Sequence, residues 1–289
     1  MSAPKRTGVE KVQASAAQRP FISTRARSRR DRITKALVVP VGAFIIWATI
    51  TNLSLVEPIF LPTPQKIVRV FWAIREVIPG AFWITIRMVA AGLLLGGIMG
   101  LATGLSFGYS KWARDLLEFS LDALRPVPLF ALIPLFVLWL GIGMTPQIAL
   151  VTLGVFLILT IQTTEAVRNV PHIYVRAALT AGASRFHIYR TVVVPAIVPH
   201  ILAGLRLAVV GAWGLDVAAE FMGSQAGLGY LMLTRMRFLD TAGIMAIVLI
   251  FAVLAVGSDF LLRAFINRTT VWMQRSQDVG VVADILGTT

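Results

Sequence analysis

The chain of 289 residues contains no cysteine, which excludes disulfides, thiol catalysis and cysteine-ligated metals. Histidine is nearly absent as well. His172, His187 and His200 are dispersed and form no H-E-x-x-H pattern, so no metal site is expected. No Gly-Lys dipeptide occurs, and without it there is no G-x-x-x-x-G-K-[ST] loop to cradle nucleotide phosphates. Charge is scarce: 14% of residues are charged and 57% are hydrophobic, against about 25% and about 45–50% in soluble domains. A soluble core does not account for that imbalance, whereas a bilayer does. No catalytic residue is expected, and the composition points to an integral membrane protein.

What charge there is lies unevenly. Ten of the 27 Lys and Arg residues fall in the first 35 positions, against only Glu10 and Asp31. A basic arm ahead of the first apolar run fits the bias of cytoplasmic flanks toward Lys and Arg, and also fits contact with anionic lipid. Nothing aromatic or folded accompanies it, so nucleic-acid binding is not expected. Residues 1–35 read as a disordered cytoplasmic tail, 36–268 as the membrane domain and 269–289 as a cytoplasmic C-terminal tail. Six apolar stretches approach the length of about 20 residues that spans hydrocarbon: 36–53, 81–107, 121–141, 147–163, 190–220 and 243–266. An even number of spans puts both termini on one side, and the basic arm makes that side the cytoplasm. In the first connection, Ile67, Val70, Phe71 and Ile74 recur at helical spacing after a proline-rich start, predicting a short interfacial helix.

Two spans carry distinctive punctuation. In the second, Gly92, Gly96, Gly100, Gly104 and Gly108 recur every fourth residue, predicting a bare ridge on which another helix packs closely. Packing within the chain and a dimer seam both fit that ridge. The third, "RPVPLFALIPLFVLWLGIG", holds Pro126, Pro128 and Pro134 and should be kinked or locally unwound.

Between the fourth and fifth spans lies the polar segment "RAALTAGASRFHIYRTVVVPAIVPH". Pro171 predicts a helix start, Gly182 a bend, and Ser184 the cap of a second short helix running into the fifth span. Pro195 and Pro199 should kink that span. Ala177, Ala178, Gly182 and Pro195 fit a pattern of E-A-A, three residues, then G, with a proline about a dozen residues later. The segment resembles the cytoplasmic loop of permease subunits of bacterial ATP-binding-cassette importers. "LPTPQKIV", "RPVPLFALIPLFVLWLGIG", "GASRFHIYRTVVVPAIVPHILAGLRLAVVGAW" and "VAAEFMGSQAGLGYLM" are similar to the nitrate/sulfonate/taurine branch of that family, in the same order.

The resemblance implies an all-α type I importer permease of six transmembrane helices in the bacterial inner membrane, with a coupling helix inside the loop 164–189. It implies ATPase contact through Tyr174, Arg176, Ala177, Ala178, Gly182, Ala183, Ser184 and Phe186. Arg176 departs from the pattern, where the family carries Glu, so the charge pairing at that position is left open. The implied partners are a cytoplasmic ATPase subunit that itself holds ATP and Mg, a second permease copy and an extracytoplasmic solute-binding protein. The implied solute is a small anion such as nitrate, a sulfonate or taurine, although the branch also resembles importers of thiamine-precursor pyrimidines and aromatic acids. An autonomous secondary transporter or channel is the alternative; it gives the polar loop no task.

Ionisable groups inside apolar runs are expensive and become candidates for the path or its gate. Arg125 opens the third span, Arg206 lies within the fifth, and Asp216 and Glu220 sit one turn apart near its outer end, with Arg87 as a counter-ion. Trp139 and Trp213 either line the path or mark the interface.

Overall fold

The computed structural model describes residues 25–269; the remainder of both expected tails lies outside the described residues. The chain divides into two compact units, Met1–Pro58 and Ile59–Thr289. The first contributes helix α1 (Arg25–Asn52), which begins inside the expected basic tail and contains Pro40.

The second unit is built on helices from its first turn onward. Helix α2 (Pro64–Ile74) is capped by Thr63, whose side chain accepts from the Lys66 amide at 3.2 Å, and has proline in its first turn. Its buried residues Ile67 and Ile74 belong to the predicted apolar face. Helix α3 (Ile78–Tyr109) follows, then α4 (Lys111–Leu124), a 3-10 turn at Leu129–Leu132, and α5 (Ile133–Leu140). Next come α6 (Met144–Arg168), α7 (His172–Thr180), the single turn α8 (Arg185–Ile188) and a π turn at Tyr189–Val193. The π turn leads into α9 (Val194–Gly223), and α10 (Leu228–Arg237) and α11 (Thr241–Thr269) complete the unit.

Four described helices are long and apolar enough to cross a membrane: Ile78–Tyr109, Met144–Arg168, Arg185–Gly223 and Thr241–Arg268. The other two expected spans appear as the shorter apolar helices Leu37–Asn52 and Leu129–Leu140. The expected third span, 121–141, is not one helix. Proline cannot donate to the helical ladder, and Pro126 and Pro128 fall where α4 stops and the 3-10 turn begins, with Pro134 in the first turn of α5. Of the two outcomes expected, a kink or local unwinding, the prolines produce the unwinding.

The glycine ridge decides how α3 meets α6. A Cβ on Gly92 would lie 2.5 Å from Val151, on Gly100 2.8 Å from the Phe156 carbonyl, on Gly104 2.6 Å from Thr163, and on Gly108 2.6 Å from Val167. The ridge is therefore intramolecular packing, and its backbone touches that of α6 with no room for a side chain. The opposed positions rise together at a constant offset of 59 residues, from Gly92–Val151 to Gly108–Val167, so the two helices run parallel. Parallel neighbours oblige the chain to recross between them, and α4, the 3-10 turn and α5 make that return. Helix α9 runs antiparallel to α6, with Gly204 against Gln162 and Gly223 against Gln147. Val89, Leu150, Val151, Val155, Leu159, Ala208, Ala212 and Leu215 form the core where these three helices meet.

Candidate functional site

The polar segment closes one end of this bundle, and each of its parts follows from local chemistry. Pro171 stands at the N-cap of α7, as its restricted φ favours. Helix α7 ends in a two-bond cap: the Gly182 amide donates to Leu179 at 2.9 Å and the Ala183 amide to Ala178 at 3.1 Å. That cap needs a left-handed residue, and Gly182 has φ +79°. The glycine of the A-A-x-x-x-G pattern is thus the helix terminator. Ser184 then accepts from the His187 amide at 3.3 Å and starts α8.

The turn leaves a largely apolar surface open. Ile173, Tyr174, Leu179 and Phe186 are 71%, 57%, 51% and 61% exposed, and Arg176, Ala177 and Gly182 are exposed beside them. Underneath, the segment is anchored. The Tyr189 hydroxyl donates to the Leu105 carbonyl at 2.6 Å, and Tyr109 meets Tyr189 edge-on with ring centroids 5.2 Å apart. Val175, Leu179, Arg185 and Tyr189 also line a cavity of about 470 Å³ against Gly108 and Tyr109.

From α8 the chain continues as one helix of 39 residues, Arg185–Gly223. The kink expected near Pro195 takes the form of the π turn just before it, where the Val194 amide reaches back to Tyr189. Widening the helix by one residue relieves the clash of the proline ring with the preceding turn.

At the opposite end this helix carries Glu220, wholly buried. Its carboxylate accepts from the Thr85 hydroxyl of α3 at 2.6 Å, from the Gly229 amide, and from the Tyr230 amide at 3.3 Å. Thr85 in turn accepts from the Leu228 amide at 2.9 Å. Glu220 therefore supplies, from another helix, the negative cap that the first turn of α10 needs. A side chain on Gly227 would fall on the carboxylate, and one on Gly229 would lie 2.8 Å from it, so both positions require glycine. The group latches α3, α9 and α10 together.

The other candidates are dispersed. Asp216 is wholly buried one turn below Glu220, and its two oxygens have no hydrogen-bond partner among the described residues; the same holds for the Gln147 amide. Arg87 is not the counter-ion of this pair. It is exposed, two residues along α3 from Thr85 and therefore on the other side of the helix. Arg125 lies exposed between α4 and the 3-10 turn, beside a cavity of about 330 Å³. Trp139 is 66% exposed on α5. Trp213 is buried and donates to Ser258 at 3.0 Å. Arg206 pairs with Asp259 of α11, which also accepts from Arg263 at 2.8 Å.

Asp259, Arg263 and Thr85 were not singled out in the sequence. The first two are visible there as an acid and a base four residues apart in an apolar run; Thr85 carries no such signal. Gly104-Leu105-Ser106-Phe107-Gly108 has the spacing of a serine nucleophile elbow. Ser106 instead donates to the Ala102 carbonyl at 2.7 Å inside unbroken helix α3, a geometry that offers no exposed strand-to-helix turn.

Comparison with known proteins places this architecture. The family model described as binding-protein-dependent transport system inner membrane component matches residues 92–271. The taurine transport system permease protein TauC of Escherichia coli (strain K12) is 29% identical over 267 residues, covering 87% of this chain and 97% of its own. The putative aliphatic sulfonates transport permease protein SsuC of Bacillus subtilis (strain 168) is 35% identical over 243 residues, covering 82% and 87%. A chain of the MetNI methionine ABC transporter, solved in inward facing conformations, matches with a TM-score of 0.54 at 18% identity over 66% of this chain and 97% of its own, a likeness of fold. On the family match and these relatives, the chain belongs to the binding-protein-dependent transport system inner membrane components.

Proposed function

We propose that this permease carries a small sulfonate-type anion, taurine or an aliphatic sulfonate, into the cytoplasm, driven by a separate ATPase. The exposed helix–glycine–helix at 172–188 carries the reading. Four large apolar side chains stand open to solvent there around a rigid glycine cap, which is the form of a docking surface. The ATPase, which holds ATP and Mg, receives this knob in the cytoplasm, and both termini of the permease lie on that same side. Two permease copies enclose the path. An external binding protein delivers solute at the latch end, near 222–241. The names of the taurine and sulfonate relatives support the substrate class.

The single helix Arg185–Gly223 gives the mechanism its lever. At about 1.5 Å per residue it runs about 53 Å from Arg185 at the docking knob to the Glu220 latch. A push on α7 and α8 passes through the Tyr189 and Tyr109 contacts into α9 and α3, and the latch makes α10 follow. The far mouth then opens or closes with the ATPase.

Gly182 supplies the test. A side chain there meets nothing within 4 Å, so its steric cost comes from the left-handed φ alone, which Asn tolerates. In the reconstituted transporter, Gly182→Asn keeps solute-dependent ATP hydrolysis, and Gly182→Glu, which sets a charge into the apolar surface, loses it. Equal hydrolysis in the two variants would remove the docking assignment. Uptake by the purified chain alone would favour the autonomous transporter instead.

A further inference from the structure

Helix α11 carries a second surface that the transport reading leaves without a task. Leu249, Val253, Val256 and Phe260 are 52%, 72%, 71% and 70% exposed. They recur at spacings of four, three and four, and three residues on stands Arg263, its side chain 55% exposed. These five positions share one helical face. The face is apolar for some 17 Å and ends in a cation, at about 1.5 Å per residue.

The cationic end is a built arrangement. Asp259 is pinned between two guanidiniums, accepting from Arg206 Nε and from Nη2 at 3.1 Å, and from Arg263 Nε at 2.8 Å. Two cations share one carboxylate, which leaves one net positive charge. Among the described residues, Asp259 is the partner of both guanidiniums, and it engages Arg263 through Nε, so both Nη atoms of Arg263 keep their donors. The carboxylate takes the Nε and Nη2 edge of Arg206 and the Nε of Arg263, and leaves Nη1 of Arg206 and both Nη groups of Arg263 facing away from it.

Helix α11 also sets the depth of this cation in a bilayer. The helix has 29 residues and a length of about 43 Å, against about 30 Å of hydrocarbon. Arg263 stands six residues before its end, roughly at the boundary between acyl chains and headgroups on the side of the 172–188 loop. Some 15 Å back along the face, near the bilayer midplane, Val253 and Leu254 enter a groove of about 370 Å³. Ile67, Val68, Phe71 and Phe82 form its other wall.

We propose that this face is a binding site for an anionic phospholipid of the leaflet on the loop side. The phosphate is held by Arg206 and Arg263 and one acyl chain runs along Phe260, Val256 and Val253 to the groove. An apolar strip one leaflet long that ends in a fixed net cation complements an amphiphile with a negative head. Basic pockets between transmembrane helices select anionic headgroups by this charge logic. The proposal does not depend on the transported solute or on the ATPase.

Native mass spectrometry of the purified transporter, exchanged into equal phosphatidylglycerol and phosphatidylethanolamine, tests it. The parent chain is expected to retain phosphatidylglycerol preferentially. Arg263→Gln leaves the Arg206–Asp259 pair intact and should cut that preference about fivefold, corresponding to about 1 kcal/mol for one arginine near the surface. Arg263→Lys keeps the charge and should keep most of the preference, which separates headgroup binding from damage to the fold. Excess inorganic phosphate should leave the lipid in place, because it lacks the chains that hold to the strip. Equal retention of the two lipids by the parent chain would overturn the proposal, as would an unchanged preference in Arg263→Gln or complete displacement by phosphate. A parent chain that retains no lipid, with subunit stoichiometry shifting on Arg263→Gln, would assign the face to a second copy.

Discussion

Glu220 stands where an apolar helix ordinarily tolerates no carboxylate, and donors arriving from two other helices make it tolerable. A buried acceptor costs most when its partners are left behind, because each orphaned donor loses hydration without compensation. Glu220→Ala strands the Gly229 and Tyr230 amides and the Thr85 hydroxyl together. We expect a loss of about 3 kcal/mol or more, at about 1–3 kcal/mol for each stranded group, read as a lowered thermal midpoint in detergent. Glu220→Gln keeps one carbonyl acceptor and should lose less than half as much. A Gln variant as damaged as the Ala variant would show that charge, not hydrogen bonding, holds the latch. The two carboxylates were legible in the sequence as expensive intramembrane groups. The partners of Glu220 were not, because Thr85 lies 135 residues away and the remaining donors are backbone amides, which no side-chain pattern announces.

At the scale of elements, what could be read in advance was what local chemistry alone decides. Pro171, Gly182 and Ser184 start, stop and restart helices through bonds within a few residues, and the structure has each where the sequence places it. The glycine ridge was equally legible, since a four-residue spacing is itself a helical face. The partner of the ridge was open between another helix of this chain and a second copy, and only the packing assigns it to α6. The third crossing was legible in part. Its three prolines foretold local unwinding, but not that a turn and a 3-10 segment would leave a helix of only eight residues. A direct check on the seam is Gly100→Val, whose branches would be forced into the Phe156 carbonyl and the Leu159 side chain. Overpacking of this kind costs about 1–3 kcal/mol or more, and here the opposing atoms include backbone. We expect little folded protein by fluorescence-detected size exclusion. Gly97→Val, whose Cβ would make an ordinary contact with Leu159 at 3.8 Å, should fold markedly better.

On the proposed function the second unit works as a lever between two ends: an exposed apolar knob at 172–188, a latch at Glu220, and one continuous helix joining them. The absence of cysteine turns that topology into a clean experiment, because any introduced thiol is the only one in the chain. In intact cells, Gln225→Cys in the exposed turn beyond α9 should react with a membrane-impermeant maleimide. Ala181→Cys beside the knob should react only after the cells are opened. The reverse pattern would invert the orientation and place the knob away from any cytoplasmic ATPase. The most direct measure of the central claim is uptake of a labelled sulfonate by proteoliposomes carrying the permease, its ATPase and the binding protein. The account predicts uptake that requires ATP and all three components and disappears in Gly182→Glu while Gly182→Asn retains it. Uptake by the permease alone without ATP, or at the parental rate in Gly182→Glu, would contradict it.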